Sequence, residues 1–372
     1  MKLIYLTAKT YPSSTADHIF IREMSKASAK ILNNNFVLVV ANNFSQELDG
    51  INIVNLKLKI KKGLTIFYYF FIPYFILKRK LNNIEATFFS VDQNLLKVVI
   101  FYKKIFNLKY KIISDWHMLF DIKKNSCIIK NSDGLIATTN HLKNLLVSKF
   151  AVPENKIKVA YGGVDLEFFN KNSESQVELR TRLGLPWPDI LVGYVGFYKT
   201  MGMAKGLDTM IKSLSLIPDK EIKMVFVGGR VKEIEEYKNF AEKKGVADRV
   251  IFVPVMSTEK IALYEKAMDM LVIPYPNEPH FRDWGFPMKA YEYMASQKPI
   301  IYSDLPIISE MLSNCAISFK AGDANDLAEK ILFCKNNQTS GEELANKAYK
   351  KVVNYTWDKR AEGIIAFLKG IL

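Results

Sequence analysis

The chain has 372 residues, of which 49% are hydrophobic and 24% are charged. That length suits two domains rather than one, and that composition excludes an intrinsically disordered protein. The formal net charge is +14, and the excess of cations lies in the first half: residues 1–175 carry 25 Lys/Arg and 13 Asp/Glu, whereas residues 176–372 carry 27 and 25.

Two explanations fit the basic first half. Its lysines belong to the solvated surface of a Lys- and Asn-rich protein, or this half faces an anionic partner such as a phosphate-bearing lipid or a membrane surface. Nucleic acid is a less suitable partner, because the sequence has no zinc-finger spacing, no RNP-like strand and no single dense basic helix.

The N-terminus and the cysteines bear on location. The stretch "MKLIYLTAK" has an apolar run too short for a signal peptide, so we expect it to form a first buried strand. Cys127, Cys315 and Cys334 show neither metal-ligand spacing nor an even-numbered disulfide framework. This pattern favours a reducing, cytoplasmic compartment.

Predicted strands and helices alternate along the chain, which indicates parallel sheets built from β-α-β units. In the first half, a helix around Ile19–Lys30 lies among the predicted strands KLIYLTA, FVLVVA, INIVNLKL, ATFFSVD, YKIISDW and GLIATT. The second half has the predicted strands ILVGYVG, KMVFVGG, VIFVPV, MLVIPY, PIIYSD and AISF. The polar, aperiodic residues 170–176 are the predicted linker. This α/β class predicts two Rossmann-like halves around a cleft, with ligands beyond the carboxyl ends of the strands.

The segment GLTIFYYFFIPYFILKRK departs from this alternation. It holds an apolar and aromatic run, residues 64–77, which is interrupted by Pro73 and flanked by basic residues. As a helix the run would span about 21 Å, short of the roughly 30 Å of a hydrocarbon core. Two interpretations stay open: a buried helix that covers the first sheet, or an interfacial helix with aromatic side chains among headgroups and cations on anionic lipid.

A candidate ligand site follows the strand MLVIPY. The loop PNEPHFRDWGF leaves that strand, and a helix is predicted to start at Pro287, a favourable first helical residue. The helix N-terminus favours a phosphate, and Lys289 in the first turn adds positive charge. Glu292 lies on the same helix face, where a carboxylate can accept hydrogen bonds from the vicinal hydroxyls of a ribose. The alternative is an ordinary ion pair on a surface helix.

Five segments in order resemble the family 4 retaining glycosyltransferases of the GT-B fold, and together they cover nearly the whole chain. PMKAYEYMASQKPIIYSD is similar to the P-x-K-x-x-E-Y-M-A-x-G-K-P variant of the family's nucleotide-binding signature. The other four segments are SDGLIATTNHLKNLL, KVAYGGVDLEFF, VGYVGFYKTMGMAKGLDTMIKSL and YTWDKRAEGIIAFLKGIL. The resemblance implies an acceptor-binding domain 1–172, a nucleotide-sugar-binding domain 173–354, and a final helix 355–372 that crosses back to the first domain.

The resemblance also implies roles for individual residues. It places Glu292 on the ribose, Lys205 on the diphosphate with backbone donors near Gly196, and His117 close to the transferred sugar. Fixed lysines can stabilise the charge that builds on the leaving diphosphate. Family members therefore need no metal, and the chain has no Asp-x-Asp motif. Without the resemblance, a lone His in "DWHM" equally fits a core position.

The chain departs from the family pattern at two positions. Phe197 stands where the family has Arg, so Lys199 is a candidate substitute. Trp284 stands where the family has the first Glu of its E-x7-E pair, which leaves Glu278 and Asp283 as candidate catalytic acids.

The remaining candidates have structural alternatives. The segment after the first strand, where the family contacts its acceptor, offers Tyr11, Asp17 and His18, although a Ser- and Pro-rich surface turn fits as well. Arg230 after "VGG" meets the nucleotide or caps the strand loop. Asp165 is expected to be a helix N-cap rather than a ligand.

These observations predict a metal-independent, retaining glycosyltransferase that needs no cofactor and uses a nucleotide diphosphate sugar, with UDP- and GDP-sugars favoured. The expected acceptor is a lipid-linked or cell-envelope glycan, with peripheral contact to the inner face of an anionic membrane. Three alternatives stay open: a nucleotide-sugar 2-epimerase of the same fold, a non-catalytic nucleotide-binding homologue, and a basic binder of membrane or nucleic acid.

Overall fold

The computed structural model describes residues 1–9, 16–40, 50–56, 66–78, 86–119, 122–171, 173–285 and 288–371, without the side chains of residues 16–18, 66–69, 77, 122–124 and 258–259. By its internal contacts the chain divides into a first unit, Met1–Gly163 with Trp357–Leu372, and a second unit, Val164–Thr356. The predicted linker, residues 170–176, falls within the second unit, between its first two helices.

The first unit contains a seven-stranded parallel sheet in the order β3-β2-β1-β4-β5-β6-β7. Its strands are β1 (Lys2–Thr7), β2 (Phe36–Val40), β3 (Ile53–Asn55), β4 (Ala86–Ser90), β5 (Lys111–Trp116), β6 (Gly134–Ala137) and β7 (Ile157–Val159). The helices between them are α1 (Ala16–Leu32), α2 (Ile66–Lys78), α3 (Gln93–Ile105), α4 (Ile122–Asn131) and α5 (Asn140–Phe150). Most strand residues are buried, which is why these strands read as nearly continuous apolar runs.

The second unit contains a six-stranded parallel sheet in the order β12-β11-β8-β13-β14-β15 and a small antiparallel β9–β10 hairpin. The strands are β8 (Ile190–Val195), β9 (Lys199–Thr200), β10 (Met203–Ala204), β11 (Ile222–Gly229), β12 (Val250–Pro254), β13 (Met270–Ile273), β14 (Ile300–Ser303) and β15 (Ile317–Phe319). The helices are α6 (Leu166–Asn170), α7 (Gln176–Leu183), α8 (Leu207–Leu216), α9 (Val231–Lys243), α10 (Thr258–Ala267), α11 (Met288–Ala295), α12 (Pro306–Leu312), α13 (Ala324–Asn336) and α14 (Gln338–Val352).

The prediction of two Rossmann-like parallel sheets is confirmed. Strand β7 and the β9–β10 hairpin, whose strands have three and two residues, were not predicted. In each sheet the strand order reverses beside the first strand, between β1 and β4 in the first unit and between β8 and β13 in the second. Loops that leave neighbouring strands in opposite directions open a crevice at such a point, so each sheet has one favoured place for a ligand.

The last helix, α15 (Trp357–Ile371), packs against α1 and therefore belongs to the first unit, as predicted. The chain returns to the first unit at a close contact: a Cβ atom added to Gly163 would lie within 3 Å of the backbone and indole of Trp357. Within the second unit, the Val164 N–H donates to the Tyr355 carbonyl at 3.0 Å, so the two ends of that unit meet.

Helix α2 is buried on one face and exposed on the other, so its buried face agrees with the first interpretation and the second stays a prediction. Ile72, Phe75 and Ile76 are buried, whereas Phe70 and Tyr74 on the other face are exposed. The helix therefore covers the first unit on one side and presents aromatic rings to solvent on the other. No helix among the described residues is long and apolar enough to cross a bilayer.

Candidate functional site

In the second unit, the candidate residues gather where the strand order reverses, at the carboxyl ends of β8, β11 and β13. Two glycines bring the ends of β8 and β11 together. Gly196 has φ +131°, and its N–H donates to the Val227 carbonyl at 2.8 Å. Gly228 has φ +100°, and a Cβ atom there would lie 2.8 Å from the Gly196 carbonyl carbon. Only glycine fits such backbone angles and so close an approach.

Lys205 lies between the β9–β10 hairpin and α8. Its N–H donates to the Tyr198 carbonyl at 3.1 Å, and its side chain is half-buried. Gly206, which follows with φ +83°, has no room for a side chain beside the Pro274 carbonyl at the end of β13. Burial, together with the charge of Lys289, lowers the pKa of Lys205 to about 7. This amine therefore changes its charge near neutral pH.

Lys289 reaches back from α11 to the end of β8. Its buried ammonium donates to the Val195 carbonyl and lies 4.8 Å from the ring centroid of Tyr194 and 5.6 Å from that of Tyr293. The Tyr293 hydroxyl accepts from the Val195 N–H at 2.8 Å, so the helix and the strand end are bound together. Burial lowers the pKa of Lys289, and Glu292 acts in the opposite direction.

Two carboxyl groups share this space with the lysines. Burial raises the pKa of Glu292, while Lys289 and Lys205 oppose the rise. Glu265 on α10 is completely buried, and neither of its carboxyl oxygens has a hydrogen-bond partner among the described residues. Burial and the neighbouring Glu292 raise the pKa of Glu265 well above its usual range. The cluster of Lys205, Lys289, Glu292 and Glu265, called here the lysine cluster, thus holds cations beside a carboxyl group that favours its neutral form.

The segment after β13, which includes a one-turn π-helix at His280–Trp284, carries the two candidate acids and a histidine that sequence analysis did not select. Glu278 is exposed, and Asp283 forms a two-pronged ion pair with Arg282, with N–O distances of 2.8 and 3.0 Å. His280 is half-buried, and burial, together with the charge of Lys205, lowers its pKa. The imidazole therefore lies close enough to the lysine cluster to sense its charge. Residues 286–287, which include the predicted helix start at Pro287, lie outside the described residues.

Three other candidates have identifiable partners. The Lys199 ammonium forms an ion pair with Glu236 at 2.6 Å. Arg230 occupies the N-cap position of α9, with its guanidinium 5.6 Å from the ring centroid of Phe197. Asp165 accepts from the Phe168 N–H at 3.2 Å, which confirms its predicted N-cap role.

The first unit has its own cavity of about 330 Å³ where its strand order reverses. His117 lies in its wall, after the end of β5, and Asp92, the N-cap of α3, lies opposite the end of β1. The full lining is Thr7, Lys9, Phe20, Ile21, Val91, Asp92, Gln93, Asp115, Trp116, His117 and Met118. Tyr11 and the side chains of Asp17 and His18, the predicted acceptor contacts, lie outside what the structure describes.

Among the described residues, no group of three or more His, Cys, Asp or Glu side chains is arranged to hold a metal ion. Sequence analysis missed Glu265 because a glutamate in a helix is ordinarily a surface residue. It missed His280 because the loop shows no periodicity that would place one side chain near another.

Comparison with known proteins identifies the second unit. Residues 180–351 match the family described as glycosyl transferases group 1. This match lies within the second unit and covers slightly less than half of the chain. The resemblance to the family 4 glycosyltransferases is thereby confirmed.

Two curated relatives illustrate the sequence similarity. The D-inositol 3-phosphate glycosyltransferase of Xylanimonas cellulosilytica is 29% identical over 181 residues, which cover 47% of this chain and 41% of the relative. The enzyme of the same name from Mycobacterium marinum is 24% identical over 247 residues, covering 64% of this chain and 50% of the relative. The chain thus spans about half the length of these curated relatives.

Solved structures extend the comparison to the whole chain. HepE of Anabaena, crystallised with UDP, matches with a TM-score of 0.80 and 14% identity, covering 100% of both chains. The sucrose-phosphate synthase of Thermosynechococcus elongatus matches with a TM-score of 0.79 and 16% identity, covering 100% of this chain and 99% of the other. These likenesses show that the fold is the expected GT-B fold.

Proposed function

We propose that this protein is a retaining glycosyltransferase that moves a sugar from a nucleotide diphosphate sugar to an acceptor. The observation that carries the proposal is the lysine cluster at the strand-order reversal of the second unit, the part of the chain that matches the family. HepE, which has a similar fold, has been crystallised with UDP and with UDP-glucose, and these ligands guide the choice of donor.

The second unit holds the donor in this proposal. Lys205, supported by backbone donors near Gly196 and by Arg230, faces the diphosphate, and Glu292 accepts hydrogen bonds from the ribose hydroxyls. As the sugar leaves, negative charge builds on the diphosphate, and fixed positive charge stabilises that state more than the ground state. The lysines supply this charge in place of a metal ion. Lys199, already paired with Glu236, contributes little.

The buried Lys289 acts through the backbone. By bonding to the Val195 carbonyl, it fixes the turn at Gly196 and adds its charge behind the proposed diphosphate position. The burial of Lys289 supports a role in the site for Lys289 and Glu292, because an ordinary surface ion pair would leave the lysine in solvent.

The acceptor binds to the first unit in this proposal, where His117 contacts the transferred sugar. Glu278, Asp283, Tyr11, Asp17 and His18 remain candidates for catalysis and acceptor binding. Among the two candidate acids, Asp283 is already neutralised by Arg282, so Glu278 is the freer group. The proposed acceptor is a lipid-linked or cell-envelope glycan.

Thermal unfolding with UDP, GDP, ADP and CMP tests this proposal. A nucleotide at about 100 times its Kd should stabilise the protein by roughly 2.7 kcal/mol, whereas the others leave Tm unchanged. UDP is the expected ligand. If no nucleotide shifts Tm, the donor proposal is wrong. Inversion at C2 of the sugar without transfer would indicate the epimerase alternative, and binding without any release of nucleotide from the sugar donor would indicate a non-catalytic homologue.

An aromatic surface on the first unit supports the proposed contact with an anionic membrane. Helices α2 and α3 pack against each other, and each exposes large apolar side chains. These are Phe70 (67% exposed), Phe71 (41%), Tyr74 (61%), Phe101 (45%), Ile105 (57%) and Phe106 (59%). Several exposed apolar side chains of this size on two neighbouring helices favour an interaction site.

The charge around the aromatic surface selects the partner. Residues 50–84 and 93–114 contain no Asp or Glu at all, whereas residues 50–114 contain 12 Lys and Arg. Lys78 and Lys104 are exposed at the ends of α2 and α3. Aromatic rings with flanking cations and no carboxylates suit the headgroup region of an anionic bilayer. This proposal places the protein at the cytoplasmic, inner face of a membrane.

Vesicle binding tests the aromatic surface. Phe70→Ser with Phe71→Ser, and separately Ile105→Ser with Phe106→Ser, should each abolish co-sedimentation with phosphatidylcholine vesicles that contain phosphatidylglycerol, without change in the circular dichroism spectrum. Phe333→Ser, an equally exposed phenylalanine position in the second unit, is the matched control and should bind like the native protein. Undiminished binding by both double variants would contradict the membrane contact, and a loss of self-association instead would point to a second copy of the chain.

A further inference from the structure

A buried ion pair links the C-terminal helix to the wall of the first-unit cavity. The Arg360 guanidinium on α15 donates from Nη2 to the Asp115 Oδ2 at 2.8 Å and from Nη1 to the Tyr161 carbonyl at 2.7 Å. The side chains of Arg360 and Asp115 are 1% and 0% exposed. Because a buried carboxylate is unfavourable without a counter-charge, the charge on Asp115 depends on Arg360.

Asp115 has a second neighbour at the cavity. Its other oxygen, Oδ1, lies 3.5 Å from His117 Nε2. Burial acts against ionisation of Asp115, but the Arg360 guanidinium, together with the nearby His117 ring, holds its pKa below the usual range. An ionised Asp115 attracts a proton on Nε2 of His117, and in a neutral imidazole this leaves the lone pair on Nδ1.

The Phe20 side chain packs against both the His117 imidazole and the Arg360 guanidinium. The Phe20 ring on α1 lies edge-on to the His117 imidazole, with centroids 4.5 Å apart, and lies 5.1 Å from the Arg360 guanidinium. Its third neighbour is the Trp357 indole, with centroids 5.4 Å apart. The arginine, the phenylalanine and the histidine thus form one packed group, so a shift of α15 would reach the cavity wall.

We propose that Arg360 and Asp115 are positioning residues that hold His117 in its neutral, Nε2-protonated form and thereby orient its imidazole in the cavity wall. The inference rests on the proposed role of His117 at the transferred sugar. It deepens that role, because it assigns the C-terminal helix, which is remote from the cavity in the sequence, to the orientation of a group in its wall.

The test removes the charges of Asp115 and Arg360 together and, separately, replaces Arg360 by a lysine. Asp115→Asn combined with Arg360→Gln leaves no uncompensated charge in the protein interior and is the variant expected to fold. Arg360→Lys keeps the positive charge but loses the planar two-pronged donor, so its effect should be intermediate. Asp358→Asn is the matched control, since it breaks the exposed 2.6 Å ion pair between Lys30 on α1 and α15 without touching His117.

Nitrogen-15 NMR of the imidazole rings shows which ring nitrogen is protonated and therefore tests the proposal directly. The chain has four histidines, so His117→Gln identifies the His117 signal by its loss. The native protein and the Asp358→Asn control should show one Nε2-protonated form, and the folded double variant should show a mixture of the two neutral forms. An unchanged His117 signal in the folded double variant would overturn the proposal.

Turnover supplies the second measurement, with UDP-glucose hydrolysis as the assay. The double variant should lose about 10- to 100-fold in kcat, the usual cost of removing a group that orients a functional side chain, with the Kd for UDP unchanged. Loss of UDP affinity with kcat retained would contradict the inference. If His117→Gln leaves kcat unchanged, the role of His117 in the proposed function is wrong, and the NMR result still decides whether Arg360 and Asp115 position it.

Discussion

The two units carry different titratable side chains at the point where the strand order of their parallel sheets reverses. In the second unit, Lys205 and Lys289 meet beside the reversal of strand order, and the buried Glu265 favours its neutral form. In the first unit, the described residues that line the cavity include Asp92 and Asp115, with Lys9 and His117 as the basic side chains. The parallel sheet thus fixes where a ligand can bind, and the charge at the strand ends decides which ligand that is.

This contrast supports the proposed binding of the diphosphate by the second unit. Burial lowers the pKa of both lysines, and the charge of Lys289 lowers that of Lys205 further. A bound diphosphate would stabilise the charged form of both lysines. The first-unit cavity, where Arg360 neutralises Asp115, offers instead hydrogen-bonding groups suited to hydroxyls.

The largest expected effect comes from removing the carboxyl group of Glu292, the proposed ribose contact. Glu292→Ala should lower kcat/KM for UDP-glucose by about 100-fold or more, since two hydrogen bonds to a charged group contribute roughly 3 kcal/mol together. Glu292→Gln, which keeps one acceptor oxygen, should lose less. Steady-state kinetics with melting curves measure both, and equal activity of Glu292→Ala and native protein would reject the ribose contact.

A smaller effect follows from the pH dependence of donor binding. The charged form of Lys205 binds a diphosphate, and its pKa of about 7 means that the charge is lost as the pH rises above neutral. The affinity for UDP should therefore fall by up to about tenfold per pH unit between pH 7 and 9, where the phosphate itself is already ionised.

Lys205→Arg is the control for this pH dependence. An arginine stays charged throughout, so the affinity of this variant should be nearly constant over the same pH range, whatever its absolute value. Calorimetric titration of UDP at several pH values measures both proteins. A flat profile in the native protein would show that Lys205 does not face the diphosphate.

The smallest effect distinguishes the lysines of the second unit from one another. Lys199→Ala should change the Kd for UDP by less than about fivefold, because this side chain is half-exposed and paired with Glu236, and such pairs contribute at most about 1 kcal/mol. Fluorescence or calorimetric titration is sufficient. A loss as large as that of Glu292→Ala would place Lys199 in the donor site after all.

Sequence alone predicted the features that have a local signal. Alternating strands and helices predicted both parallel sheets, and five ordered segments predicted the family. The spacing of Lys289 and Glu292 placed them on one helix face. The burial of Lys289 against the end of β8 was not predictable, because it depends on a strand nearly 100 residues earlier.

The features that the sequence did not predict depend on contacts between residues far apart in the chain, or on a helix whose faces are equally apolar. The Asp115–Arg360 pair joins residues 245 positions apart, so no local pattern relates them. Helix α2 is apolar on all sides, and periodicity cannot tell which face of such a helix is buried. Glu265 is an acid in an otherwise ordinary helix, and only the packing around α10 shows that it is buried.

The packing of α15 against α1 has a consequence for the order in which the two units fold during synthesis. Domains ordinarily fold in turn as they leave the ribosome, beginning with the N-terminal one. Here the second unit is continuous in sequence and can close on itself through Val164 and Tyr355 during synthesis. The first unit must wait for α15, so the apolar face of α1 stays uncovered until residues 357–371 have been synthesised.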